Sequence, residues 1–539
     1  MDTIDGHAHF FNLKYLPVAG IIVRYLPKII KGKNTLPTII KIAEGAARFL
    51  IKHTESDFDI PSEKDFDELD KPLFKILEIK NFIPIHHQII QEPELLKTMD
   101  SIQMIESLGN SISMNDLVEK EINEAIQIFQ SQILEVDPTN IFPEFTKFES
   151  ESQNIELVIT GSEIIKKMLN WIFDHWQSDG IVKNNIGWFI FMMNKESIIA
   201  KRLIEVDEIG IKGFINLTMD VDSYFKYMTD GSDQVSHFNF KHEQLKNMHA
   251  LKLKLQESKI QLYNFVAFDP IRQDSINPPQ KSSLEIIKEA ISKYEFVGVK
   301  FYPPMGYKPS YSEPMSETER LIEKNNNALF EYCSTKKIPI FVHCNNGGFE
   351  AYPKNSGVNS NPKYWIQILD KYKDLRINFG HAGGEYGWLS QIRKEDKYNP
   401  EDISENETED DIYIQGEHWN KSYAAIVYKL CMTYDNVYCD FSYMDNLLTN
   451  EGTLDKIYSE RLKQRLLKIF DKHSIFKDKV FYGSDWHMLF REGKNGFYFK
   501  AYQKFFNKDE FDDKLRNKFF QKNVLNYMNV GEIQPSIQT

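Results

Sequence analysis

Eight short apolar runs, alternating with longer segments of helical periodicity, constrain this chain more than any other feature. They are Thr3–His9, Gly213–Met219, Leu262–Phe268, Phe296–Tyr302, Ile338–His343, Leu375–His381, Val437–Ser442 and Lys479–Asp485. Runs of this length, rich in β-branched and aromatic residues, read as strands. From the second onward, successive runs are separated by enough chain for a crossover helix. Ser283–Tyr294 is one such crossover, with apolar residues at helical spacing. Strand–helix alternation gives a parallel sheet. Eight strands fit a closed (β/α)8 TIM barrel, an α/β fold. A doubly wound open sheet is the rival, but no GxGxxG follows any of the runs.

At 539 residues the chain is far longer than the ~250 of a typical barrel. The excess lies mainly in residues 10–199, between the first strand and the second. That stretch is rich in helical pattern, Asp116–Leu134 for example, and has no βαβ rhythm. It is predicted to be a large, mostly helical insertion subdomain after the first strand. The barrel then comprises residues 1–9 and 200–530, with 531–539 a C-terminal tail. A second insertion, between the sixth and seventh strands, contains the acidic run Glu401–Asp411, which reads as a solvated loop.

The formal net charge of −13 argues against a nucleic-acid partner, because phosphate binding needs clustered Lys and Arg. The four cysteines form no CxxC pair, which fits a reducing compartment. The opening residues lack the basic and apolar regions of a signal peptide. Val18–Val23 is too short to span a bilayer. The expectation is a cytoplasmic protein acting on a small molecule, with no nucleic-acid or membrane partner and homo-oligomerisation left open.

Residues with chemistry recur at the C-terminal ends of the runs, where TIM barrels build their sites. In His7-Ala8-His9, positions i and i+2 share a strand face, so both imidazoles can grip one ion. His343 and His381 end the fifth and sixth runs, each before a glycine-bearing loop; taken singly, each also reads as a hydrogen-bonded core histidine. Asp485 ends the eighth run and reads either as a metal ligand or as a helix N-cap. Lys300 sits inside an apolar run, costly to bury unless paired. It faces outward, binds a substrate anion, or is carbamylated and bridges two metals. Three imidazoles and a carboxylate suit Zn²⁺ and related ions.

These motifs resemble the amidohydrolase superfamily, nearest to the amidohydrolase-related branch that includes aminocarboxymuconate-semialdehyde decarboxylase. The segments Phe265–Pro270, Gly298–Pro303, Gly483–Trp486 and Gln521–Leu525 add to the likeness, which covers residues 1–9 and about 200–530. The resemblance implies one divalent metal per chain, zinc first among candidates, held by His7, His9, His343 and Asp485. It implies a second ion only with a carbamylated Lys300. It gives His381 and Asp485 catalytic roles, with Lys300 beside them. Arg272 and Tyr302 are candidate substrate-binding residues; Arg272 also reads as a surface salt bridge. Glu385 and His487 flank proposed ligands, His418 and Trp419 follow the acidic loop, and His86 and His87 read as structural.

The leading expectation is a hydrolase that cleaves an amide, lactone or ester with metal-activated water. A non-oxidative decarboxylase on the same site is the alternative, and a non-catalytic barrel scaffold is another. A TatD-like nuclease is disfavoured by the negative charge and by the lack of a strand-four glutamate.

Overall fold

The computed structural model describes residues 3–16, 194–221, 243–272, 281–351, 356–390 and 422–530, apart from isolated positions, together with a few positions elsewhere. The helical insertion expected over 10–199 lies, except for its edges and a few positions, outside the described residues. So do His86, His87, the acidic run Glu401–Asp411, His418 and the tail 531–539. The chain divides into two compact units, Met1–Pro17 with Asn194–Thr539, and Val18–Met193.

The first unit is a (β/α)8 barrel. Its strands are β1 (Thr3–Ala8), β2 (Ile211–Leu217), β3 (Gln261–Phe268), β4 (Gly298–Phe301), β5 (Ile340–Val342), β6 (Ile377–Phe379), β7 (Val437–Phe441) and β8 (Val480–Tyr482). Each pairs in parallel with the next, in chain order. All eight fall where the apolar runs place them. Several are shorter than the runs, so His343, His381 and Asp485 lie just past strand ends rather than within strands.

Among the described residues, six crossover helices link β2 to β8: α1 (Leu245–Glu257), α2 (Ser283–Tyr294), α3 (Glu317–Lys336), α4 (Ile366–Lys371), α5 (Tyr423–Thr433) and α6 (Lys456–Lys472). Local sequence sets several of their starts. Ser282 with Glu285, and Ser316 with Glu319, form capping boxes that satisfy first-turn amides of α2 and α3. Asp455 caps α6 by accepting from Ile457 N and Tyr458 N.

After β8 a final helix, α7 (Asn523–Met528), closes the barrel floor. Its Tyr527 ring packs against Phe265, Phe341, Tyr438 and Phe481, from four different strands, at centroid separations of 5.7 to 6.4 Å. This apolar layer lies beneath the strand ends that carry polar residues. Among the described residues no helix is long and apolar enough to cross a membrane.

The sheet closes where β1 meets β8. His9 N donates to Trp486 O at 2.7 Å and Asp485 N to His7 O at 2.7 Å. Asp5 clamps this seam. Its Oδ1 accepts from His7 N and Ser484 N, both at 2.9 Å, and its Oδ2 from the Ser484 hydroxyl. Burial pushes the Asp5 carboxyl up to about 7, against the pull of those hydrogen bonds.

Gly6 sits in the seam. A Cβ there would lie 2.4 Å from Phe481 Cε2 and 2.9 Å from the backbone Tyr482 O. Gly6→Ala is expected to destabilise the barrel by about 1–3 kcal/mol, as overpacking does, seen as a lower urea midpoint at unchanged slope.

Candidate metal centre

The two-residue period of β1 sends His7 and His9 to one side of the seam, and the turn after β8 brings Asp485 to meet them. His7 Nε2 and His9 Nε2 each lie 3.2 Å from Asp485 Oδ1. The ligand-type atoms of these three buried residues all fall within 4.8 Å of one another. The opposite ring nitrogens are spoken for. His9 Nδ1 donates to Leu217 O at 2.8 Å, and His7 Nδ1 lies 3.1 Å from Asp440 Oδ1. Tying Nδ1 in this way orients a metal-binding imidazole and leaves Nε2 for the ion.

The residues fit a divalent cation. With bonds near 2.1 Å, neighbouring ligand atoms in a tetrahedral site lie roughly 3.4 Å apart, close to the 3.2 Å found here. Two imidazoles and one carboxylate suit a borderline transition ion.

Electrostatics agree. Burial by itself would raise Asp485, but the charge of His7 and hydrogen bonds from His7 and His9 hold it well below the usual carboxylate range. Burial would lower His7, and the carboxylates of Asp440 and Asp485 outweigh it and raise it. His9 is lowered, chiefly by burial.

His343, expected as a fourth ligand, is not brought into this group. Its Nε2 lies 3.0 Å from Gly347 O and its Nδ1 3.3 Å from His381 Nε2. His381 does reach the centre, its ring 4.8 Å from that of His7. Burial lowers His381 to about 4 and His343 well below the ordinary imidazole value.

Lys300 points inward on β4 and is 1% exposed. Its Nζ stands 4.6 Å over the Phe341 ring, and among the described residues it makes no hydrogen bond or ion pair. Burial lowers it to about 8, against the pull of Asp485 and Asp440. The Tyr302 ring lies 4.6 Å from that of His343, tilted by 44°, and its hydroxyl accepts from Phe349 N at 2.8 Å. Arg272 is paired, its Nε 2.5 Å from Asp220 Oδ2. His487 packs edge-on to Phe11. Trp419 belongs to the core: it is buried against Trp388, with the Arg465 guanidinium 4.5 Å over its ring.

Asp440 and Ser442 escaped the sequence reading. Asp440 Oδ2 accepts from Asn378 Nδ2 at 2.6 Å while Oδ1 faces His7. Ser442 Oγ touches His7 Nδ1 and His381 Nδ1. The signal was present, since a carboxylate and a hydroxyl two apart in Val437–Ser442 share one face of a buried run. The backbone also marks the site. His381, Tyr443 and Asp485, each just past a strand, have φ of 60°, 51° and 60°. Left-handed backbone at non-glycine residues costs about 1–3 kcal/mol each and clusters at functional sites.

Residues 262–398 match the family model described as amidohydrolase. Over that span the chain is similar to amidohydrolases. The matched span runs from β3 past β6 and carries Lys300, His343 and His381. Solved structures with low overall likeness include a 5-carboxyvanillate decarboxylase from Novosphingobium aromaticivorans complexed with manganese. It is 14% identical, with a TM-score of 0.36, over 62% of this chain and 83% of its own. A 2,6-dihydroxybenzoate decarboxylase from Rhizobium is 11% identical, TM-score 0.32, over 59% and 84%. A probable 2-pyrone-4,6-dicarboxylic acid hydrolase from Acinetobacter baumannii, with citric acid bound, is 13% identical, TM-score 0.31, over 59% and 84%. Likeness at these scores carries no argument about the reaction. No curated protein matches the sequence.

Asp440→Asn is expected to weaken metal binding about 10–100-fold, the usual effect of losing the partner of a ligating imidazole. Calorimetric titration of the metal-stripped full chain with Zn²⁺ checks this. A second outcome concerns Glu385, which accepts from Asn446 N at 2.9 Å. Burial, with the nearby Asp445 charge, raises it to about 7 despite Lys494, above an unfolded value of about 4.3. The folded state therefore holds a proton that the unfolded state has released between those values. Stability from this group is complete below the unfolded value and is lost as pH rises through about 7. Glu385→Gln should flatten that fall, read from urea midpoints across this window.

Proposed function

We propose that this chain is a metal-dependent hydrolase that cleaves a C–N or C–O bond in a small amide, lactone or ester. The supporting observation is the convergence of His7, His9 and Asp485 at the barrel seam, their Nε2 and Oδ1 atoms aimed at one point. These three would hold a divalent ion, with zinc the first candidate. Such an ion supplies Lewis acidity and lowers the pKa of water toward ~7.

The chain's own groups have distinct tasks. Asp485 is ionised and oriented by two imidazoles, so it can accept a proton from attacking water. His381 is kept neutral by burial and stands beside His7, where it can steady developing negative charge. Lys300 is a buried cation without an anionic partner at hydrogen-bond distance among the described residues. A buried unpaired ammonium is costly, and an anionic group on the substrate offsets that cost. The reading is therefore of a substrate that carries a carboxylate.

The same lysine favours one second reading. A carboxylate held there is also positioned to leave as CO₂, which makes a non-oxidative decarboxylase the alternative.

The test uses the metal-replete full chain. It is assayed against carboxylated amides, lactones and esters for bond opening, and against hydroxybenzoates for CO₂ release. Hydrolysis abolished by a chelator, restored by Zn²⁺, and reduced about 10²–10⁴-fold by Asp485→Asn, the range for a lost proton acceptor, supports the first reading. CO₂ release without hydrolysis transfers support to the second. Metal content near zero after metal-replete expression defeats both, and two ions per chain would place a carbamate on Lys300.

A further inference from the structure

Ser442 lies just past β7, 1% exposed, at the centre of a chain of imidazoles. Its Oγ is 2.8 Å from His7 Nδ1 and 3.0 Å from His381 Nδ1, and the Asp440 carboxylate is a competing acceptor for its proton. A hydroxyl has one proton to give. The far end of the chain decides where it goes.

Gly347 O is a carbonyl and can only accept, so His343 Nε2, 3.0 Å away, carries a proton. A neutral imidazole with a protonated Nε2 has its lone pair on Nδ1. That lone pair faces His381 Nε2 at 3.3 Å, so His381 Nε2 is the donor. His381 Nδ1 is then an acceptor, and the partner that reaches it with a proton is the Ser442 hydroxyl. Ser442 in turn accepts from His7 Nδ1–H, which it shares with Asp440 Oδ1 at 3.1 Å.

The result is a relay of one polarity, His7 to Ser442 to His381 to His343 to Gly347. It cannot run backwards, because the carbonyl has no proton to return. Giving the Ser442 proton to Asp440 would leave the His381 Nδ1 lone pair facing the Ser442 oxygen lone pairs at 3.0 Å, unless His381 took a second proton. That would set an imidazolium 3.3 Å from the neighbouring imidazole, in a pocket that already holds the Lys300 ammonium.

We propose that Ser442 is a positioning residue that fixes the tautomer of His381, filling its Nδ1 and holding the proton on Nε2. The catalytic meaning of this rests on the reading under Proposed function. In this tautomer His381 offers a donor, not a base, to charge that develops at the centre. The relay also occupies both nitrogens of His343, which can join an ion only by giving up its contact with Gly347 or with His381.

The test is ¹⁵N NMR of full-length protein labelled at histidine, metal-stripped and Zn²⁺-loaded, with His381→Gln to assign the signals. Wild type should show a pyridine-type Nδ1 and a pyrrole-type Nε2 for His381. Ser442→Ala should move the ratio of the two tautomers by about fivefold, the equilibrium factor of one ordinary hydrogen bond. Ser442→Thr, which keeps the hydroxyl, should restore the wild-type pattern. A protonated Nδ1 on wild-type His381, or an unchanged ratio in Ser442→Ala, overturns the proposal. Should Ser442→Ala fail to fold, the wild-type and Ser442→Thr signals decide. Failure of wild type to take up Zn²⁺ sinks the metal reading instead and leaves the relay standing.

Discussion

The molecule turns on one carboxylate at the barrel seam. Asp485 arrives from the last strand and is met by two imidazoles from the first, each 3.2 Å from the same oxygen. Closure of the barrel and assembly of the site are the same event, since the backbone bonds that join His7 to Asp485 and His9 to Trp486 also set the side chains. Asp5 holds the arrangement from below by taking three hydrogen bonds, two of them across the seam. A buried carboxylate would be costly there without them.

Around that seam the barrel separates its functions by depth. The floor is aromatic, with Tyr527 touching four strands, and it keeps water from the underside of the polar layer. Phe341 belongs to both levels, since its ring meets His7 at 4.7 Å and lies beneath the Lys300 ammonium. The polar layer above is densely paired, and Lys300 is the buried cation that it leaves without an anion among the described residues. Under the proposed function, that charge is where a substrate carboxylate binds.

Much of this was legible in the chain. The eight strands stood out because parallel strands buried on both faces read as apolar runs. His7, His9 and Asp485 stood out because polar residues ending such runs need a reason. Asp440 and Ser442 met the same criterion and were passed over, because a carboxylate or hydroxyl inside a strand carries no motif. The insertion over 10–199 shows the opposite limit. Its helical periodicity is plain, but it falls almost wholly outside the described residues.

Sequence alone determined the strand count and the parallel order. Those follow from periodicity, and a period is a property of the chain. Tertiary structure decided what each nitrogen does. His343 and His381 look alike in sequence, each a histidine ending an apolar run before glycines. One is turned to a loop carbonyl and the other to Ser442. The first partner is four residues away and the second 61, and ring orientation is set by such hydrogen bonds rather than by the sequence pattern alone.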